Sequence, residues 1–272
     1  MRLCVIGNSH VGMLRAAARD LGAGGPEIGF FSKAGPGLEK ATIEGSTIAA
    51  RDQGLAAAQA RFGMPAALDV SAFDAAVFVA GTASVYSALR ILQDFRVSGW
   101  PSCVATRENP VPSGPEPPHR ALVSEPAFVA TLADAARAGI SHTFATALRR
   151  ASDVPMFLVP QPYPSELVFE TARPRDFGFL RARAKGDGRA IAACLTRAID
   201  EAFGDVGGVC ILHQPEDTIA HGFTTARAYA RDAVRVDGDT PQHPTDLLHV
   251  GPAFGKRVLA RVAASLNGGD LV

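Results

Sequence analysis

The chain has 272 residues, 47% hydrophobic and 20% charged, with 27 basic and 27 acidic side chains and a formal net charge of zero. That is enough apolar material for one α/β core without disulfide staples. The balanced charge, with no basic run, argues against nucleic acid or an anionic membrane surface as the partner. Cys4, Cys103, Cys194 and Cys210 are scattered without CxxC spacing. Three of them sit in apolar patterns, so they read as small buried hydrophobes and not as a disulfide framework or a zinc site.

In chain order, the first apolar run is Leu3-Cys4-Val5-Ile6, ended by Gly7. It is too short for the core of a secretion signal or for a bilayer span, and no later run reaches about 18 apolar residues. A cytoplasmic location without membrane contact is the expectation. Further short apolar runs at 28–31, 75–80, 156–159 and 209–212 are each bounded by Gly, Pro or polar residues. They read as strands buried on both faces.

Helical patterns fill the gaps. Val11, Leu14, Ala18 and Leu21 share one face, as do Val85, Leu89 and Leu92. Ser124 before Glu125-Pro126 marks a helix start, with serine as cap and proline in the first turn. That helix is expected to run to about Arg150 with a break near Gly139. Ile191, Leu195, Ile199 and Phe203 mark another, and the last follows Pro252 with Phe254, Val258, Val262 and Leu266. The stretch 109–118 holds five prolines and a glycine and reads as a surface loop. The segment 214–249 is long and mixed, with a helix expected over 224–233. The alternation predicts a three-layer α/β/α fold with a five-stranded, mostly parallel sheet, in one domain spanning 1–272.

The first strand runs directly into Gly7-Asn8-Ser9-His10-Val11-Gly12. A dinucleotide fingerprint needs a glycine where Ser9 stands. A phosphate-binding P-loop needs Lys and Ser/Thr where Met13 and Leu14 stand. What remains is a nucleophile turn, or a serine that caps the following helix. In the first case the Ser9 N–H lies at a helix N-terminus, where developing negative charge is favoured. Near the other end lies Asp246-Leu247-Leu248-His249. A carboxylate three residues before an imidazole can accept its Nδ1–H and leave Nε2 free to take a serine proton. The plainer alternative is a capping Asp246 or Thr245 with a surface histidine. Loops after parallel strands gather at one sheet edge, so the two segments can meet.

Together these two blocks resemble the SGNH (GDSL-type) hydrolases. Gly7-Asn8-Ser9-His10 looks like their first block, and Asp246 to His249 with Gly251, Phe254 and Gly255 looks like their last. The resemblance implies a flavodoxin-like α/β/α fold and a serine esterase with Ser9 as nucleophile, His249 as base and Asp246 as orienter. It also implies oxyanion donors from the N–H groups of Ser9 and of a glycine after the second strand. Gly37 aligns best there, with Gly35 second, and Pro36 has no N–H. After the third strand the family shows Gly-x-Asn-Asp, whereas this chain reads Gly81-Thr82-Ala83-Ser84. Gly81 fits, and Ala83 replaces the asparagine donor, so Thr82 or Asn8 is expected to donate instead. His10 after the serine points toward an O-acylated carbohydrate.

Other residues carry less. His119, His142, His213, His221 and His243 show no metal-ligand spacing, and Trp100 with three tyrosines forms no aromatic platform in the sequence. Gln214-Pro215-Glu216-Asp217-Thr218 is either a substrate contact or an ordinary turn. The function expected is acyl-ester hydrolysis of a small-molecule or glycan ester, needing no metal or organic cofactor. The alternatives are an O-acyltransferase using the same residues, or a non-catalytic glycan-binding module.

Overall fold

The computed structural model describes residues 1–105, 120–171 and 173–268. The proline-rich stretch 109–118 and His119 lie outside the described residues. Five short apolar runs form the central sheet: β1 (Arg2–Gly7), β2 (Glu27–Ser32), β3 (Ala75–Val79), β4 (Met156–Val159) and β5 (Val209–Ile211). Their order is 2-1-3-4-5 and every neighbouring pair is parallel. These are the five expected strands, and the sheet is parallel throughout.

Two faces of alternating side chains explain why the strand interiors are apolar on both sides. Cys4, Ile6, Ala76, Phe78, Met156 and Leu158 belong to one core cluster. Leu3, Val5, Ala75, Val77, Val79, Phe157 and Val159 belong to the other. Successive strand residues point to opposite faces, so a sheet covered on both sides is apolar through its strand interiors, with polar residues such as Arg2, Glu27 and Ser32 at the strand ends.

The helices follow from right-handed crossovers. From β1 to β2 the chain moves one way through α1 (Gly12–Leu21). It then reverses past β1 to β3, which places the later helices on the opposite face. These are α3 (Val85–Asp94), α4 (Glu125–Arg137), α5 (Ile140–Arg149) and α7 (Gly188–Gly204), whose apolar sides join the first cluster. The final helix α8 (Pro252–Leu266) returns to pack on α1. Layers of helix, sheet and helix result. The direction reverses between β1 and β3, and the carboxyl ends of strands at such a reversal are where ligands bind in open α/β sheets.

Ser124 caps α4 as expected, its Oγ accepting from the Ala127 N–H at 3.3 Å, with Pro126 in the first turn. The break between α4 and α5 falls at Gly139. A Cβ there would lie 2.4 Å from the Gly81 carbonyl oxygen, so the glycine lets this corner press onto the turn after β3.

The expected helix over 224–233 is corrected. Only Arg227–Ala230 is helical. Thr224–Thr225 pairs antiparallel with Ile219–Ala220, and its hydroxyls donate to the carbonyls of Ala220 (2.7 Å) and Tyr163 (2.6 Å). Extended backbone serves these β-branched residues better than a helix does. Further elements carry too little pattern to be read in advance. They include α2 (Gln53–Arg61), α6 (Phe177–Lys185) and a small antiparallel sheet of Thr42–Glu44, Thr47–Ala49 and Ala67–Asp69. Among the described residues, no helix is long and apolar enough to cross a membrane.

Where α1 meets α8, a Cβ on Gly255 would sit 2.2 Å from the Met13 carbonyl oxygen, a backbone atom that cannot swing aside. Gly255→Ala is therefore expected to force the helices apart and to cost about 1–3 kcal/mol of stability. Denaturant unfolding measures this, and an unchanged midpoint would mean that the helices do not depend on the close approach.

Candidate active site

β1 ends at Gly7, whose absent side chain leaves room for the Val79 carbonyl oxygen of β3, 2.5 Å from where a Cβ would be. Asn8 follows in extended conformation and caps a short 3-10 turn, Ser9–Val11, its Oδ1 accepting from the His10 N–H at 3.0 Å. The turn leads straight into α1. Ser9 thus stands above the carboxyl end of the sheet. Gly7 pairs with Val79 in the β1–β3 register, so Ser9 and Gly81 lie at matching distances beyond the paired ends.

The segment carrying Asp246 and His249 is tied down from three sides. The Ser165 N–H, just after β4, donates to the Leu247 carbonyl at 2.8 Å. The Asp246 N–H donates to His243 at 2.8 Å, and the Gly251 N–H donates to Tyr229 at 2.7 Å. Gly251 is required because a Cβ would overlap the Arg231 carbonyl oxygen. This bracing carries the segment to Ser9, 240 positions away along the chain.

There the side chains form one hydrogen-bonded line. Ser9 Oγ lies 2.8 Å from His249 Nε2, and His249 Nδ1 lies 2.5 Å from Asp246 Oδ2. Asp246 Oδ1 accepts from the Leu248 N–H at 2.7 Å. The side chains of His249 and Asp246 are only 14% and 15% exposed. Burial pushes the Asp246 carboxyl up, but the hydrogen bonds from His249 and Leu248 outweigh it and hold the group below its ordinary value. As an acceptor-only carboxylate it takes the Nδ1–H, so His249 Nε2 has its lone pair toward the serine.

His10 packs against this line. Its ring centroid is 4.7 Å from that of His249, with the planes tilted by 30°. His10 is 5% exposed. Burial first, and the neighbouring His249 second, lower its pKa from the ordinary 6.5 to about 3. The unfolded chain thus takes up a proton that the folded chain refuses. The folding stability tied to this group is fully present above about pH 6.5 and falls as the pH drops from there toward 3. Between pH 7.5 and 5 the loss should be about 2 kcal/mol. His10→Phe should flatten that part of the stability–pH curve, as read by denaturant unfolding at the two pH values. Equal slopes in both proteins would contradict it.

The expected oxyanion donors divide. Ser9 N–H and Gly81 N–H have no acceptor among the described residues. Gly81 has φ +65° and follows Ala80 at φ +57°, an unusual conformation for alanine at a strand end beside the candidate site. The Gly37 N–H is occupied, donating to its own Glu39 Oε2 at 2.7 Å, so Gly37 is not an open donor as placed. The cause is local: Gly37, at φ +114°, begins a 3-10 turn whose second residue is an acid that caps it. Thr82 Oγ1 is sealed from solvent without a hydrogen-bond partner. Ala83 is buried in the core cluster. Asn8 spends its Oδ1 on His10, and its amide NH₂ has no partner among the described residues.

Other singled-out residues have structural roles. Gln214 Oε1 accepts from the Tyr163 N–H at 2.8 Å and its amide donates to Thr225 Oγ1 at 3.0 Å, clasping the loops after β4 and β5. His213 pairs with Asp200 at 2.7 Å, His243 with Thr245 at 2.8 Å, and His142 with the Ala202 carbonyl at 3.0 Å. Among the described residues, no three His, Cys, Asp or Glu side chains gather as a metal site. A cleft of about 800 Å³, lined by Arg183, Arg189, Glu216 and His221, takes in none of the three hydrogen-bonded residues. One of about 330 Å³, lined by Arg231 and His243, reaches Asp246.

Compared with protein-family models, curated proteins and solved structures, the chain finds no match in any of the three.

Proposed function

We propose that the protein is a serine acyl-ester hydrolase of the SGNH type, acting on O-acylated carbohydrate. The observation that carries this reading is the line Ser9–His249–Asp246, closed by side chains from opposite ends of the chain. His249 Nε2 takes the Ser9 proton as Oγ attacks the ester carbonyl carbon. The imidazolium that forms is stabilised by the Asp246 carboxylate and returns the proton to the leaving alkoxide. Water, activated by the same imidazole, then releases the acyl group from Ser9. An alcohol in place of water would make the enzyme an acyltransferase.

The N–H groups of Ser9 and Gly81 and the Asn8 amide serve the oxyanion in this reading, because each is a donor with no partner among the described residues. Asn8→Ala is expected to lower kcat by about a hundredfold with little change in KM, since such a bond forms mainly in the transition state. A KM effect without a kcat effect would move Asn8 from the oxyanion to ground-state binding.

The occupied Gly37 N–H and the core position of Ala83 favour a second reading, a glycan-binding module that does not turn over. Labelling with a fluorophosphonate decides between them. The esterase reading expects covalent modification at Ser9 together with acyl release from short aryl esters or acetylated sugars. A protein that does not react is a binding module.

A further inference from the structure

His10 is not needed for the proton path from Ser9 to Asp246, yet its buried ring packs against the His249 ring in that path. A neutral imidazole carries one N–H, on Nδ1 or Nε2. Here Nδ1 is sealed from solvent with no hydrogen-bond partner. A proton on Nδ1 would be a buried donor with no acceptor, an arrangement folded proteins avoid. The proton therefore belongs on Nε2, which is not sealed as Nδ1 is and has no hydrogen-bond partner among the described residues. Its pKa of about 3 keeps the ring neutral across ordinary pH, so this N–H neither comes nor goes with pH.

From the tilted packing of the two rings and the sealed Nδ1, we infer that His10 Nε2–H is a fixed donor to the alcohol side of the ester. His249 delivers its proton to the leaving oxygen. On this inference the His10 ring, its centroid 4.7 Å from that of His249, stands beside the alcohol part, within reach of a hydroxyl or ether oxygen next to the scissile bond. The site then selects alcohols that carry an acceptor oxygen beside the ester over plain alkyl alcohols. No bond is made or broken at His10. The inference rests on the esterase reading.

Two measurements test it. In the resting protein, long-range ¹H–¹⁵N NMR of the imidazoles should show one ring, absent from His10→Phe, that holds the Nε2–H form and does not titrate between pH 8 and 4.5. An Nδ1–H form, or titration in that range, overturns the inference whatever the substrate. In kinetics, 2-hydroxyethyl acetate is compared with propyl acetate, which has a methyl group in place of the hydroxyl. The wild type should favour the hydroxylated ester, and His10→Phe should cut that preference by about tenfold while propyl acetate changes little. Equal loss on both esters makes His10 only a packing residue, and equal activity of variant and wild type removes its role. Either result leaves the esterase reading standing. A wild type that does not react with fluorophosphonate overturns both.

Discussion

Replacing Ser9 with alanine should lower acyl release by about six orders of magnitude and abolish fluorophosphonate labelling, while the melting temperature stays where it was. The size of the loss follows from what the hydroxyl does. In the proposed reaction it is both the attacking atom and the donor to His249, and in serine hydrolases such groups act as a unit. His249→Ala should cost about as much, and the double variant little more. The fold should tolerate the change because Ser9 Oγ has His249 as its partner and belongs to neither core cluster. The Asn8 cap on His10 and the start of α1 use other atoms. Acyl release within tenfold of wild type, from a variant with unchanged melting, would remove Ser9 as nucleophile.

Asp246→Asn should lower kcat by up to about four orders of magnitude. The local geometry dictates the sign. Oδ1 accepts from the Leu248 N–H at 2.7 Å, so the asparagine must keep its carbonyl oxygen there. Its NH₂ group then takes the place of Oδ2 and points at His249 Nδ1. Two donors cannot face each other, so Nδ1 becomes the acceptor and the ring proton moves to Nε2. A protonated Nε2 cannot accept from Ser9. The same imidazole NMR should show His249 switching tautomer in this variant. Full activity with an unswitched ring would place the orienting role elsewhere.

Much of this was legible in the sequence. The five strands announce themselves because a parallel sheet covered on both faces needs short apolar runs, such as Leu3 to Ile6, bounded by turn residues. Ser124 and Pro126 mark a helix start by local chemistry. Ser9 and the Asp246–His249 pair could be singled out because a nucleophile turn and an i,i+3 carboxylate–imidazole pair are local patterns.

The rest depends on contacts between distant segments. That Ser9 and His249 meet is a product of strand order 2-1-3-4-5 and of the braces from Ser165 and Tyr229. Gly37 and Gly81 look equivalent as glycines after strands. Only the fold shows the first N–H taken by Glu39 and the second without an acceptor among the described residues. Thr224 and Thr225 carried no sign of the hairpin, because their hydroxyl acceptors lie on Ala220 and Tyr163. His10 was visible as the residue after the serine. Its neutrality and its place against His249 come from burial, which one position in a sequence cannot express. Local patterning determined which segments become strands and helices and which residues could do chemistry. Tertiary packing decided which of those residues meet and which donors stay open, because hydrogen-bond partners and desolvation are set by neighbours far away in the chain.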